Sequence, residues 1–210
     1  EAKFSDPDYA RLVYGAFVQD LWRNGTTRSI LFGTIHKEST LVLMELLQKT
    51  GLSAYVGKVN MDRNSPDFLI EETSQSLADT KDWLEASAQF GPLVKPIITP
   101  RFVPSCTSEL MDGLGTLSEE YKVPVQSHLS ENHGEVDWVA ALHPESPNYT
   151  DVYYEHKLMG RTPTVMAHCI HLSDVEMDRM AETQTMVSHC PFSNVNLSSG
   201  IAPIRKLMKR

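Results

Sequence analysis

The sequence predicts an α/β protein built on parallel strands. Segments of helix and strand character alternate along its 210 residues, polar side chains gather at the ends of the strands, and no phosphate-binding glycine motif follows any strand. Alternation of this kind is typical of βα units, whose strands pair in parallel. Such strands form either an open doubly wound sheet or a closed barrel.

The first half of the chain contains three helices and three strands by its pattern. In the first helix Leu12 and Ala16 belong to an apolar stripe at helical spacing, and Asn24 with Gly25 supplies the stop. Gly51 ends the second helix in the same way. The order is helix 7–23, strand 26–35, helix 37–51, strand 53–61, helix 71–91 and strand 93–102.

The second half repeats the alternation. Thr107 or Ser108 caps the next helix and Ser173 opens a later one, because short hydroxyl side chains satisfy the first free backbone N–H groups of a helix. The order is helix 107–122, strand 123–128, a helix-rich region 132–159, strand 162–168, helix 173–184 and strand 185–190. The whole chain therefore supplies six strands.

Composition limits the function classes. A chain of 210 residues that is 41% hydrophobic can bury a core of its own, so we expect one domain over 1–210. Its net charge of -8 and scattered Lys and Arg argue against a nucleic-acid partner. Cys106, Cys169 and Cys190 show no disulfide-like spacing, which fits a reducing compartment, and no apolar run approaches eighteen residues, so no membrane partner is expected.

The strand ends favour the barrel. Neither GxGxxG nor GxxxxGK[ST] follows a strand, which disfavours an open nucleotide-binding sheet. In a barrel the carboxyl ends of the strands converge on one pocket, where residues distant in sequence meet. The polar residues at those ends are His36, Asp62, Arg101, His128, Glu131, His168 and His189.

Two strands end on histidine, in "PVQSH" at His128 and in "TVMAH" at His168. Neutral imidazoles at the ends of neighbouring parallel strands can bind one metal ion such as zinc. The alternative is that both are hydrogen-bonded rim or core residues. A structural zinc site made of the two "HC" pairs is weaker, since adjacent strand residues point to opposite faces. The H-x-E and P-C-x-x-C of cytidine-deaminase zinc sites are absent.

Glu131 stands three residues beyond His128, on the loop or first helical turn after the strand. A carboxylate there can take a proton from a water held by a metal and pass it to a leaving group, as hydrolysis of a C–N bond requires. Alternatively Glu131 caps the next helix, where negative charge is favoured.

Six motifs together resemble the guanine deaminase family of the amidohydrolase superfamily. They are "NGTT", "GKVNMD", "KPIITPRF", "QSHLSEN", "MAHCIHLS" and "SHCPFSNVNLSSG", spread over nearly the whole chain. "TPRF" followed by "SHLSEN" and "HCPxSN" is the specific combination. The resemblance implies a (β/α)8 TIM-type barrel with one catalytic zinc per chain that hydrolyses guanine to xanthine and ammonia in purine catabolism. It also implies a cytoplasmic homodimer.

The resemblance assigns a role to five residues. His128 and His168 match zinc ligands at the ends of the fifth and sixth barrel strands, and Glu131 matches the proton-shuttling glutamate. Arg101 and Phe102 match the pair that holds the purine, the first at its polar edge and the second on its ring. No lysine ends the fourth strand, where Arg101 stands, so the carbamate-bridged two-metal variant of the superfamily is not expected and the resemblance implies one metal.

The chain also departs from the family pattern. No H-x-H occurs, and no strand ending in the family's eighth-strand aspartate is present, so two of five ligands remain and the chain corresponds to about strands two to seven. We therefore expect an incomplete barrel, inactive as an isolated segment, within an enzyme of greater length. Two alternatives stay open: another amidohydrolase deaminase or chlorohydrolase acting on a different purine, pyrimidine or triazine, and a non-catalytic fragment that acts only through association.

Overall fold

The computed structural model describes residues 1–210, and the chain folds into two compact units, Glu1–Thr99 and Pro100–Arg210. The elements of the first unit are α1 (Pro7–Arg23), β1 (Arg28–Phe32), α2 (Lys37–Thr50), β2 (Ser53–Gly57), β3 (Val59–Asn60), α3 (Thr73–Ser87) and β4 (Val94–Pro96), and β5 (Thr99–Pro100) spans the boundary. The elements of the second unit are α4 (Ser108–Tyr121), β6 (Val125–Leu129), α5 (His133–Leu142), α6 (Tyr149–Glu155), β7 (Thr164–His168), α7 (Asp174–Glu182), β8 (Met186–Ser188), α8 (Pro191–Asn196) and α9 (Ile204–Leu207).

The first unit contains a parallel sheet in the order β1, β2, β4. Leu43, Met44 and Leu47 of α2 are buried, as are Val56 of β2 and Trp83 of α3, and α2 packs on both elements. The helices α2 and α3 therefore bury their apolar faces on the sheet or on a neighbouring helix, as the sequence pattern indicates. The stripe predicted for the first helix was wrong: Leu12 and Ala16 are exposed, and α1 buries Ala10, Tyr14 and Val18 instead.

The second unit contains a parallel sheet in the order β6, β7, β8. Its helices begin at the expected caps: the Thr107 side chain accepts from Leu110 N–H, and Ser173 forms a capping box with Glu176. The two parallel sheets confirm the predicted direction of strand pairing.

Three predicted elements are interrupted. The helix-rich region 132–159 consists of α5 and α6, separated by residues 143–148, which include Pro144 and Pro147. The predicted strand 93–102 is two short strands, because Pro96 and Pro100 cannot donate to a ladder. The predicted strand 53–61 breaks at Lys58, whose fully buried ammonium group lies 2.6 Å from Glu71 Oε1.

Candidate functional site

A pocket of about 420 Å³ lies in the second unit, where β6 leads into α5. Its walls carry both hydrogen-bonding groups and aromatic rings. The lining residues are Arg101, Phe102, His128, Glu131, Asn132, Gly134, Glu135 and Trp138. Four of the five site residues predicted from the sequence therefore line one pocket, and the fifth, His168, lies directly behind it against His128 and Glu131.

His128 is held through its ring and through its backbone. Its Nδ1 lies 2.6 Å from the carbonyl oxygen of Arg101, and its own carbonyl accepts a hydrogen bond of 2.8 Å from the Tyr153 hydroxyl. A carbonyl can only accept, so Nδ1 carries the proton and Nε2 carries the lone pair. Burial lowers the pKa of His128, which favours the neutral imidazole that a metal ion needs as a ligand.

His168 ends β7 and is buried. Its Nδ1 lies 2.8 Å from Asn194 Oδ1 and 3.6 Å from Glu131 Oε1. The imidazoles of His168 and His128 are nearly parallel, with centroids 5.5 Å apart and an interplanar angle of 20°.

The strand register alone does not bring these two imidazoles together. His168 pairs with Leu129 in the parallel ladder, so regular strand geometry gives it the face of Leu129, opposite to that of His128. The backbone leaves strand geometry at this point, with φ of 71° at His168 and 52° at Cys169. Left-handed backbone at non-glycine residues costs about 1–3 kcal/mol and clusters at functional sites. The strained turn is what permits the stacked pair.

Glu131 follows a left-handed residue, Ser130, in the turn between β6 and α5. Its Oε1 accepts a hydrogen bond of 3.1 Å from Ser199 Oγ in addition to approaching His168. The side-chain cap of α5 is Asn132, whose Oδ1 accepts from Glu135 N–H. The carboxylate of Glu131 therefore faces Ser199 and His168, and the residue that caps α5 is Asn132.

Arg101 and Phe102 form one wall. The guanidinium carbon of Arg101 lies 5.3 Å from the centroid of the Phe102 ring, within cation–π range. The Phe102 ring in turn meets Trp138 edge to face, at 6.3 Å between centroids and 78° between planes. A charged hydrogen-bond donor beside two aromatic rings suits a flat polar heterocycle.

Glu135 and Trp138 also line the pocket, although the sequence pattern did not single them out as site residues. They stand three residues apart within α5, a spacing that brings residues of a helix onto one face, so the periodicity of α5 contained the signal. Burial raises the pKa of Glu135, whose carboxyl bonds with the Tyr149 hydroxyl. The pocket therefore holds a second carboxyl group besides that of Glu131, and the pKa of this second group, Glu135, is raised.

The residues present fit part of a zinc site. His128 and His168 each present an imidazole whose Nδ1 is hydrogen-bonded to an oxygen, which is the arrangement that surrounds most metal-binding histidines. No group of three or more His, Cys, Asp or Glu side chains in the chain has a metal-binding arrangement. These two residues thus account for two ligands of a site that needs at least three from protein.

Comparison with known proteins gives the same family from sequence and from structure. The model of the amidohydrolase family matches residues 2–210. The guanine deaminase of Dictyostelium discoideum is 48% identical over 100% of this chain and 46% of its own length. The crystal structure of guanine deaminase from C. acetobutylicum with bound guanine matches with a TM-score of 0.97 and 52% identity, over 99% of this chain and 50% of that one.

A more distant solved structure extends the likeness of fold. The atrazine chlorohydrolase of Arthrobacter aurescens, complexed with zinc, matches with a TM-score of 0.86 at 17% identity, over 97% of this chain and 47% of that one. These likenesses confirm the predicted fold class, an incomplete TIM-type barrel. The chain spans about half the length of the curated relatives it matches. None of its helices combines the length and apolar character that a membrane crossing requires.

Proposed function

Because this chain belongs to the amidohydrolase family, we propose that the complete protein is an enzyme that hydrolyses guanine to xanthine and ammonia. One observation carries the proposal: a paired imidazole, a carboxylate and an Arg–Phe wall share a single pocket. The high identity to proteins named guanine deaminase, one of them solved with guanine bound, supports the choice of substrate.

His128 and His168 would hold a zinc ion together with ligands from outside this chain. Zinc, when bound, supplies a Lewis acid that lowers the pKa of a water molecule to near neutrality. The two residues contribute imidazoles whose ring orientation is fixed by the Arg101 carbonyl and by Asn194. We expect about one zinc ion per chain of the complete protein, measured by elemental analysis after dialysis.

Glu131 would move the protons of the reaction. Its carboxylate accepts a proton from the attacking water and delivers one to the departing amino group, so that water and guanine become xanthine and ammonia. Its position suits this role, since its side chain lines the same pocket as His128.

Arg101 and Phe102 would bind the purine. Guanine presents a carbonyl oxygen at C6, and the guanidinium offers paired N–H donors in a fixed fork at such an edge. The rings of Phe102 and Trp138 pack on flat faces or edges of the base. A pocket of about 420 Å³ is of the size that small-molecule sites have.

The test is Glu131→Gln in the complete protein. The amide keeps the size of the side chain but cannot accept the proton, so we expect kcat for guanine to fall roughly a hundredfold or more while zinc content is unchanged. Glu145→Gln, at an exposed carboxyl, is the matched control. Normal turnover per bound zinc in Glu131→Gln would exclude the shuttle role. A parental protein that does not act on guanine but turns over a triazine or another purine would change the substrate assignment.

We extend the proposal to a homodimer that works in the cytoplasm. The segment 192–201 exposes large apolar side chains, among them Phe192 at 80% and Ile201 at 88%, and such a patch is typical of an association surface. Light scattering of the complete protein should give twice the chain mass, and a monomer at micromolar concentration would contradict the dimer.

A further inference from the structure

Helix α8 and the turn that follows it carry two buried polar side chains, Asn194 and Ser199, which are 2% and 8% exposed. They are joined through the backbone, because Ser199 N–H donates to the carbonyl of Asn194 at 2.9 Å. Gly200 follows with φ of 127°, and a Cβ there would lie 3.0 Å from Ile170 Cγ2. The two side chains are thus parts of one tight turn packed against the residues that follow β7.

Asn194 determines which nitrogen of His168 carries the proton. The two groups that approach His168 Nδ1 are Asn194 Oδ1 at 2.8 Å and Glu131 Oε1 at 3.6 Å, and both are acceptors. Nδ1 is therefore the protonated nitrogen, and the lone pair is on Nε2. The Asn194 amide nitrogen is buried with no hydrogen-bond partner, so the side chain retains this position for the contact made by its oxygen.

Ser199 acts in the same way on the carboxylate. Its hydroxyl donates to Glu131 Oε1 at 3.1 Å, and its carbonyl accepts from His171 Nε2 at 2.8 Å. Since serine has few rotamers and its backbone is held at both ends, this hydrogen bond restricts the Glu131 side chain to one orientation.

We propose that Asn194 and Ser199 are positioning residues for hydrolysis: Asn194 keeps His168 in the tautomer that offers Nε2 to the metal, and Ser199 keeps the Glu131 carboxylate aimed into the pocket. The inference rests on the proposed function, and it adds two residues that act through others without touching the reacting atoms. It also gives a physical reason why the "SNVNLSSG" stretch belongs to the site.

The role of Asn194 is tested by the tautomer of His168 and by the zinc Kd, without measuring enzyme turnover. In the metal-free complete protein, ¹⁵N spectra of labelled histidine, assigned with His168→Gln, should show His168 protonated at Nδ1. Asn194→Leu removes the acceptor, so we expect a mixture of tautomers and a zinc Kd raised by roughly ten- to a hundredfold. Asn194→Asp restores an acceptor and should return the zinc Kd to within about threefold of the parental value. Asn24→Leu, the same change at an exposed position at the end of α1, is the control.

The test of Ser199 separates orientation of the Glu131 carboxylate from binding of guanine and zinc. Ser199→Ala should lower kcat for guanine by about tenfold while KM and the zinc Kd stay within about threefold, because only the orientation of the carboxylate is lost. Ser199→Thr retains the hydroxyl and should recover most of kcat. Ser108→Ala, at an exposed position of α4, is the matched control.

Two outcomes would overturn the inference. One is an Nε2-protonated His168 in the parental protein, and the other is a parental zinc Kd in Asn194→Leu together with parental kcat in Ser199→Ala. Both differ from failure of the proposed function, in which the parental protein itself binds no zinc or does not deaminate guanine.

Discussion

Arg101 enters the site twice, through its backbone and through its side chain. Its carbonyl accepts from His128 Nδ1 at 2.6 Å and from Ser127 Oγ at 3.2 Å, while its guanidinium lies over the Phe102 ring. A substitution at this position changes the guanidinium and leaves the carbonyl in place. Variants of Arg101 therefore separate purine recognition from the orientation of the imidazole.

We predict that Arg101→Lys lowers kcat/KM for guanine by roughly ten- to a thousandfold, with KM raised, while folding and zinc content are retained. Lysine replaces a planar fork of donors by a single mobile ammonium group, which leaves part of the purine edge unpaired. Steady-state kinetics measure the loss, and Arg161→Lys, at an exposed position beside Glu119, is the control.

Phe102→Leu should have a milder effect than Arg101→Lys, because ring packing is lost while polar recognition remains. Parental kinetics in Arg101→Lys would show that another residue reads the purine. The substrate would then have to be sought among other rings deaminated by amidohydrolases.

At the scale of elements, α4 lies unusually close to the end of α6. A Cβ added at Gly115 would stand 2.1 Å from the carbonyl oxygen of His156, a backbone atom that cannot move aside like a flexible side chain. His156 is the C-cap of α6, and its ring Nδ1 bonds with Asp112 of α4 at 2.8 Å. Glycine is therefore required at this position by close approach of two backbones.

We predict that Gly115→Ala destabilises the fold by roughly 2–3 kcal/mol, because α4 must shift away from α6. The matched variant is Gly15→Ala in α1, where a Cβ meets nothing within 4 Å. Alanine there should stabilise by up to about 1 kcal/mol, since it has the higher helix propensity. Urea unfolding followed by circular dichroism measures both, and equal effects would contradict the close approach of α4 and α6.

At the scale of the whole molecule, two partly buried histidines couple stability to pH. Burial lowers the pKa of His36 and of His128, so both stay neutral in the folded state at pH values where the unfolded chain takes up protons. Where the unfolded state binds more protons, the free energy of unfolding rises with pH. The loss of stability therefore begins as pH falls through the unfolded value near 6.5.

We predict that the free energy of unfolding of the metal-free protein falls between about pH 7.5 and pH 5.5. In His36→Gln it should fall less, because the unfolded chain no longer takes up a proton at this position. Urea titrations in the presence of a chelator measure the slopes. Above about pH 7.5 both states hold His36 neutral, so parent and variant should there show the same dependence on pH. Identical slopes at low pH would mean that His36 is accessible to protons in the folded state.

Local pattern alone determined a large part of this protein. The alternation of helical and strand periods predicted the parallel pairing of β6 with β7, and the strand ends supplied His128, Glu131 and Arg101, which line one pocket. These features are set by residues close in sequence, whose burial and spacing repeat with the period of their own element. The family motifs, which are short and continuous, belong to the same class of information.

Only the tertiary structure decided how the site residues face one another. The left-handed turn at His168 places its ring beside that of His128, on the face opposite to the one that the strand register predicts. Asn194 contacts His168 from 26 residues further along the chain, and Ser199 contacts Glu131 from 68 residues further along. No local period encodes such contacts, because they depend on where separate elements pack. The orientation of each site residue is thus a property of the assembled fold, whereas its identity is a property of the sequence.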